Sequence, residues 1–526
     1  MAIDLLVRAG RAVAVEGDRI VAVTADPYGL DDRIGPGTRV VNGAAVLPAF
    51  DDTHTHLVHA GHAAHDVPVH RARDIPEFLA LIRERAAATP EGDWIRTTTN
   101  WQELNLAERR MPTAAELDRA TDRHPVLVKR GGHNAVANTC ALRLGGVTAD
   151  TPEPPGGIIG RTEDGAPNGR LIDAAMHLVE RLYPAADEDA RVDGLDAASH
   201  AYAATGIGTV RDCAVPLADL DVLRRTADAG RLGTRVRALV IAQGAAGDPA
   251  RLDGILDAME PWRDRADPWL RVWGVKFLLD GGLEAGATEE PYAGRPDYRG
   301  LLLWEPDALA DAVERVVRRG WRAGTHAFGD RAVRVLLDVY ERVLARNPGL
   351  PPRSLVIEHA GLAPAAQRAR AVALGVPVTV QQPLLHDTAE VAATHWGAER
   401  VGRLFPVRGW IDDGALVTAG SDFPVGPYGA MRSVWGLTTR QTVAGVRGPE
   451  HAVTTEEAIA LHTTAAARFL GEDDRRGALA PGLLADLTVW PADPYALPPE
   501  ELRDLAPLLT VVGGRVTHDG TGPGGG

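Results

Sequence analysis

Short apolar or alternating runs separated by turn residues fill the beginning of the chain, at 4–8, 11–15, 19–24 and 39–46. Similar signals return only at the far end, at 485–490 and 510–518, with Gly513 and Gly514 as a turn. The two ends are expected to complete one composite β domain, 1–46 with 475–520, because chain termini often lie close together. Between them, apolar strand-like runs alternate with stretches whose apolar residues recur at three and four, such as 307–319 and 331–346. That alternation is the sign of βα units around a parallel sheet. Eight strands are predicted, at 46–51, 208–213, 235–241, 272–279, 322–328, 354–359, 376–382 and 415–421. They make an α/β fold, a (β/α)₈ TIM barrel over 47–474, the expected architecture. One connection, 57–205, is far longer than a βα loop and is expected to be an inserted subdomain after the first barrel strand.

Composition narrows the function classes. A chain of 526 residues exceeds one ordinary core, which suits a barrel-sized domain with one or two additions. Apolar residues at 45% and charged residues at 24% exclude disordered and fibrous classes. A formal net charge of -15 without any basic run argues against nucleic acid and anionic membrane, and leaves a small-molecule substrate. Cys140 and Cys213 are too few and too far apart for a disulfide framework. With no signal-like start and no long apolar run, a cytoplasmic protein is expected, as a monomer or a homo-oligomer.

Candidate chemistry sits at the predicted strand ends. His54 and His56 follow the first strand and, two residues apart, project to one side, where two imidazoles can share a metal. Lys276 lies inside an apolar strand, and lysine is almost never buried unless paired. A snorkelling or carboxylate-paired lysine is one reading; the other is a neutral amine that adds carbon dioxide to give a carbamate with two oxygens, able to bridge two cations. His326, His359 and Asp422 stand at the ends of strands five, six and eight. Singly, each could be a core histidine or a helix cap. Together, five of the eight strands deliver ligand-type residues to the carboxyl-terminal rim, where barrel active sites form. The mixed N/O set suits one or two divalent ions, Zn²⁺ first, then Mn²⁺, Fe²⁺ or Co²⁺.

These residues and their surroundings resemble the amidohydrolase superfamily, particularly the branch that includes N-substituted formamide deformylases. The resemblance rests on Leu47 to His56, Gly131-Gly132-His133-Asn134, Gly329-Asp330-Arg331-Ala332-Val333, Ile357-Glu358-His359-Ala360, Gly420-Ser421-Asp422-Phe423-Pro424-Val425 and Pro481 to Leu487, and spans nearly the whole chain. It implies that the insertion caps the barrel. It further implies that His54, His56 and Asp422 hold one metal, His326 and His359 the other, and carbamylated Lys276 bridges them. Two stretches depart from the family pattern. Ala49 and Asp51 replace a glycine and an apolar residue, and Asp280-Gly281-Gly282-Leu283 replaces Asp-Gly-Ser-Leu.

The expected reaction is attack of metal-bound hydroxide on an N-acyl, N-formyl or cyclic amide, with Asp422 passing the proton to the leaving amine. His133 is the candidate oxyanion donor and, with Trp101, Tyr292 and Gln382, a candidate substrate contact. Packing is the competing role for Trp101 and Tyr292, and a strand-end hydrogen bond for Gln382. An ester, lactone or phosphoester hydrolase on the same centre, and a non-catalytic binding protein of the same fold, are the competing functions.

Overall fold

In the computed structural model, Pro48 divides the run predicted as one strand over 46–51. Ala45–Pro48 pairs antiparallel with Leu487–Trp490, whereas the first barrel strand, β1, runs Phe50–Thr55. Proline has no N–H with which to extend a ladder. The chain changes sheet at that point: the Ala49 amide bonds to the Asp486 carbonyl, and the next amide, on Phe50, bonds to Gly206. His54 therefore lies within the strand rather than beyond its end. The structure describes residues 3–521 apart from 65, 132–133, 155–156, 185–186, 243, 264 and 266.

Seven further parallel strands follow: β2 Ile207–Val215, β3 Arg235–Ile241, β4 Leu270–Leu278, β5 Arg322–Ala327, β6 Leu355–His359, β7 Val378–Val380 and β8 Val417–Ala419. They lie side by side in sequence order. Their interiors are nearly all buried, which is why they read as continuous apolar runs. Covering helices such as Pro306–Arg318 and Asp330–Arg346 turn Leu309, Val313 and Val316, or Val333, Leu336 and Tyr340, inward. The ring closes beyond β8. The Asp422 amide donates to the His54 carbonyl at 2.8 Å and the His56 amide to Phe423 at 3.0 Å, so residues expected to bind metal also join the last strand to the first.

β7 is shorter than the predicted 376–382 because Gln382 opens a helix, Gln382–Trp396, with a proline in its first turn. Gln382 is thus helical, not a strand end. The terminal segments form two four-stranded sheets. Leu5–Arg8, Ala12–Glu16, Arg19–Thr24 and Arg39–Asn42 make one; Ala45–Pro48, Leu487–Trp490, Leu509–Val512 and Arg515–Asp519 make the other. Val7, Val13, Ile20, Val46, Leu487 and Val511 share one core between them. The hairpin at Gly513–Gly514 needs φ of 56° and 73°, a conformation that favours glycine.

His59–Gly194 is a separate compact unit with a five-stranded sheet and its own cores, one built on Phe78, Ile82, Leu117 and Val126. Among the described residues no helix is long and apolar enough to cross a membrane.

Candidate metal centre

β1 is buried along its whole length, so its period-two alternation places Thr53 and His54 on opposite faces. Thr53 is held by the hydroxyls of Thr379 on β7 and Thr418 on β8 at 2.8 and 2.9 Å, which fixes the register that presents His54. His54 Nδ1–H donates to Glu358 on β6 at 2.6 Å. Its Nε2 lone pair then faces Lys276 Nζ on β4 and Asp422 Oδ1, each 3.4 Å away. Asp422 Oδ1 also lies 3.0 Å from His56 Nε2. The His359 ring stands 4.4 Å, centroid to centroid, from both His54 and His326. All six residues expected to ligate are thereby brought into one connected cluster.

Glu358 is itself anchored. Arg211 on β2 donates to it through Nη2 at 2.5 Å and Nη1 at 3.0 Å, with both side chains 0% exposed. A Cβ on Gly324 of β5 would come within 2.3 Å of Glu358 Oε1 and 2.9 Å of Arg211 Nη2, so only glycine leaves room for this pair. Glu358 orients His54, a candidate ligand, and fixes its tautomer, the arrangement of a carboxylate behind a metal-site histidine. Neither role was read from the sequence. The available signal was the one that exposed Lys276: a charged residue inside an apolar strand run.

Electrostatics keep the imidazoles of His54, His326 and His359 neutral, the form that ligates. Burial, then the Lys276 charge, holds His54 well below the usual histidine range and His326 down at about 4; burial and His326 do the same for His359. His326 Nε2–H donates to the Gly281 carbonyl at 3.2 Å, which leaves Nδ1 as its lone-pair nitrogen. Lys276 is 1% exposed and forms no ion pair among the described residues. Asp280, the carboxylate that could have paired with it, instead accepts from the amides of Ala287, Phe328 and Gly329 at 2.8–3.0 Å, and burial pushes it up to about 7. It ties the loop after β4 to the loop after β5.

Left-handed backbone occurs at two of the candidate ligands and beside one of them. His359, Ala360 and Asp422 have φ of 76°, 45° and 58°, left-handed values that cost non-glycine residues about 1–3 kcal/mol each and persist where the surroundings impose them. Asp52 helps impose the last, accepting from the Ser421 amide at 3.0 Å beside His54. Asp51, the acidic departure from the family pattern, accepts at both oxygens from Nη1 of buried Arg476, at 2.7 and 2.8 Å. Arg476 therefore compensates its charge.

The donor set fits a divalent ion. Candidate ligand atoms of His54, His359 and Asp422 lie within 4.8 Å of one another, and His359 Nδ1 is buried with no hydrogen-bond partner among the described residues. Nitrogen and carboxylate donors in this number are what Zn²⁺ and its neighbours take.

The candidate substrate contacts are more dispersed. Trp101 is buried in the core of the inserted unit, against Phe78, and donates Nε1–H to the Lys129 carbonyl. Tyr292, in the loop after β4, is 2% exposed and donates its hydroxyl to Gly286. Gln382 is buried against Gly436, and both polar atoms of its amide lack a hydrogen-bond partner. His133 lies outside the described residues.

The family model described as the amidohydrolase family matches residues 41–518. N-substituted formamide deformylase from Arthrobacter pascens is 30% identical, with 97% of this chain and 95% of that protein covered. A metal-dependent hydrolase of Pyrococcus horikoshii superposes with a TM-score of 0.73 at 22% identity, over 95% of this chain and 98% of that one. A zinc complex of atrazine chlorohydrolase from Arthrobacter aurescens gives a TM-score of 0.52 at 15% identity, over 97% and 94%.

Proposed function

The chain belongs to the amidohydrolase family, metal-dependent hydrolases acting on carbon–nitrogen bonds other than peptide bonds, and from that premise we propose that it hydrolyses an N-formyl, N-acyl or cyclic amide at a binuclear zinc centre in the cytoplasm. One observation carries the proposal: a buried lysine without an ion pair among the described residues stands beside the converging His54, His359 and Asp422. Two unbridged, buried cysteines accord with a reducing compartment.

Lys276 is proposed to be carbamylated. The ammonium first gives up a proton; the neutral amine then forms an N–C bond to carbon dioxide and releases a second proton, so that a carboxylate-like anion replaces a cation among four histidines. Divalent ions there would supply Lewis-acid polarisation of the substrate carbonyl and a water acidic enough to react near neutrality. His54, His56, His326, His359, Asp422 and the Lys276 carbamate are the proposed ligands. Glu358 keeps the His54 Nδ1–H engaged, so the opposite nitrogen stays a lone pair throughout turnover. Asp422 Oδ1 is the proposed proton carrier, taking a proton from the attacking water and delivering it to the departing amine. The amide of Gln382, in the first turn of the helix after β7 and without a hydrogen-bond partner among the described residues, supports its role as a polar contact for substrate. His133 is retained as the oxyanion donor on sequence grounds.

A panel of N-formyl, N-acyl and cyclic amides, with matched esters and lactones, tests this reading by following released amine against released acid. Amide turnover that stops in His54→Ala is expected. Ester or lactone turnover with no amide hydrolysis would overturn the substrate assignment.

A further inference from the structure

The amino-terminal end of the barrel carries charge that the proposed reaction does not use. A cavity of about 610 Å³ there is lined by Arg235, Arg237, Arg263, Arg265, Arg271 and Arg475. Opposing carboxylates in its described lining are Asp18, Asp267 and Glu472. In a chain of formal net charge -15, such a gathering of cations needs a reason.

Internal pairing explains part of it. Arg235 binds Asp486 at 2.9 Å, Arg237 binds Glu472 at 2.7 Å, Arg263 binds Glu260 at 2.7 Å, and Arg265 reaches Asp228 at 2.5 Å. Arg271 and Arg475 are exposed and form no ion pair among the described residues. Behind the cavity lies a recess of about 10 Å³ that shares Arg235, Arg237, Glu472 and Arg475 with it and is bounded also by Arg476. Arg476 is 3% exposed. Its Nε and Nη1 serve Glu472 and Asp51, while Nη2 is buried with no hydrogen-bond partner among the described residues. A buried donor left without an acceptor is costly, and an oxyanion or its bound water would supply one. Positive charge extends further: burial, then the nearby Arg271, holds Arg322 at the start of β5 down at about 10.

We propose that this cavity binds a phosphate-bearing small-molecule anion, with Arg271 and Arg475 as its outer contacts and Arg237 and Arg476 at its inner end. The planar guanidinium fork matches phosphate oxygens, and the volume is that of a small-molecule site. The site is separate from the metal centre. Arg271 precedes Lys276 on β4 by five residues, a span of about 17 Å at roughly 3.3 Å per residue.

Calorimetric titration of the metal-loaded full chain with inorganic phosphate, at constant ionic strength, tests this against the double variant Arg271→Ala/Arg475→Ala. Both side chains are exposed and without ion pairs, so the variant is expected to keep its Tm and its amide turnover. One saturable site that weakens at least tenfold in the variant is the expected result. No saturable binding, or binding of equal strength in the variant, as phosphate on the metal centre would give, overturns the proposal. Acetate binding as tightly as phosphate overturns the assignment to phosphate.

Discussion

Replacing Glu358 by glutamine removes one charge and almost no volume from the centre of the site. The carboxylate accepts from His54 Nδ1 at 2.6 Å and from Arg211 at 2.5 and 3.0 Å, with no solvent access for any partner's side chain. A glutamine offers one acceptor oxygen and one NH₂ group, so a donor must face either Arg211 or His54. Breaking one side of a buried ion pair costs about 3–5 kcal/mol. Arg211 keeps some compensation, since it also donates to the Thr53 carbonyl at 3.0 Å and lies 4.5 Å from the Trp273 ring centroid. The lower end of that range is therefore expected for Glu358→Gln. Loss of a carboxylate behind a metal-binding histidine weakens metal affinity about 10–100-fold, or about 1.4–2.7 kcal/mol. Denaturant unfolding gives the first quantity, and titration against a chelator of known affinity the second. Arg211→Met combined with Glu358→Gln is expected to recover part of the stability but not the metal affinity. Wild-type stability and metal affinity in Glu358→Gln would refute the claim that this pair positions His54.

Other consequences follow from the same geometry. Gly324→Ala drives a methyl to 2.3 Å from Glu358 Oε1, so unfolding should shift by about 1–3 kcal/mol, and a wild-type melt would show that the pair can give way freely. Lys276→Ala should lose the second metal and nearly all turnover, with partial rescue by a short carboxylate and excess metal; full metal content by elemental analysis would assign Lys276 a packing role. Burial alone would raise the Glu472 carboxyl, but the Arg237 and Arg476 charges outweigh it and hold the group well below its ordinary 4.5. A depressed folded-state value contributes stability above the unfolded value and loses it as pH falls through the folded one. The destabilisation caused by Glu472→Gln should then be full above about pH 5 and shrink toward pH 3; a difference independent of pH across denaturant melts would contradict the pairing.

The barrel was legible because parallel strands buried on both faces leave apolar runs that turn residues delimit. The Arg235–Ile241 strand matches its predicted span, and six others lie within two residues of theirs at each end. The errors came from single prolines and from the edges of the ring. Pro48 moves Ala45–Pro48 into another sheet, and the helix beginning at Gln382 cuts β7 short. The candidate ligand residues could be gathered from sequence because strand ends bring distant residues to one rim. What lay behind it could not, because a Glu–Arg pair such as Glu358–Arg211 has no spacing rule: its partners are 147 residues apart and meet only through strand order. Asp51 illustrates the same limit. From sequence it stood beside the ligands as an unexplained charge, and only the fold brings Arg476 to it.

The most direct test of the account is anomalous scattering at the zinc absorption edge from crystals of metal-loaded protein, with the density at Lys276 examined in the same data. Metal peaks within bonding reach of His54, His56, His326, His359 and Asp422 are predicted, with planar carbamate density beyond Lys276 Nζ contacting both ions. No peak at this cluster, or a bare ammonium on Lys276 in fully loaded protein, would contradict it.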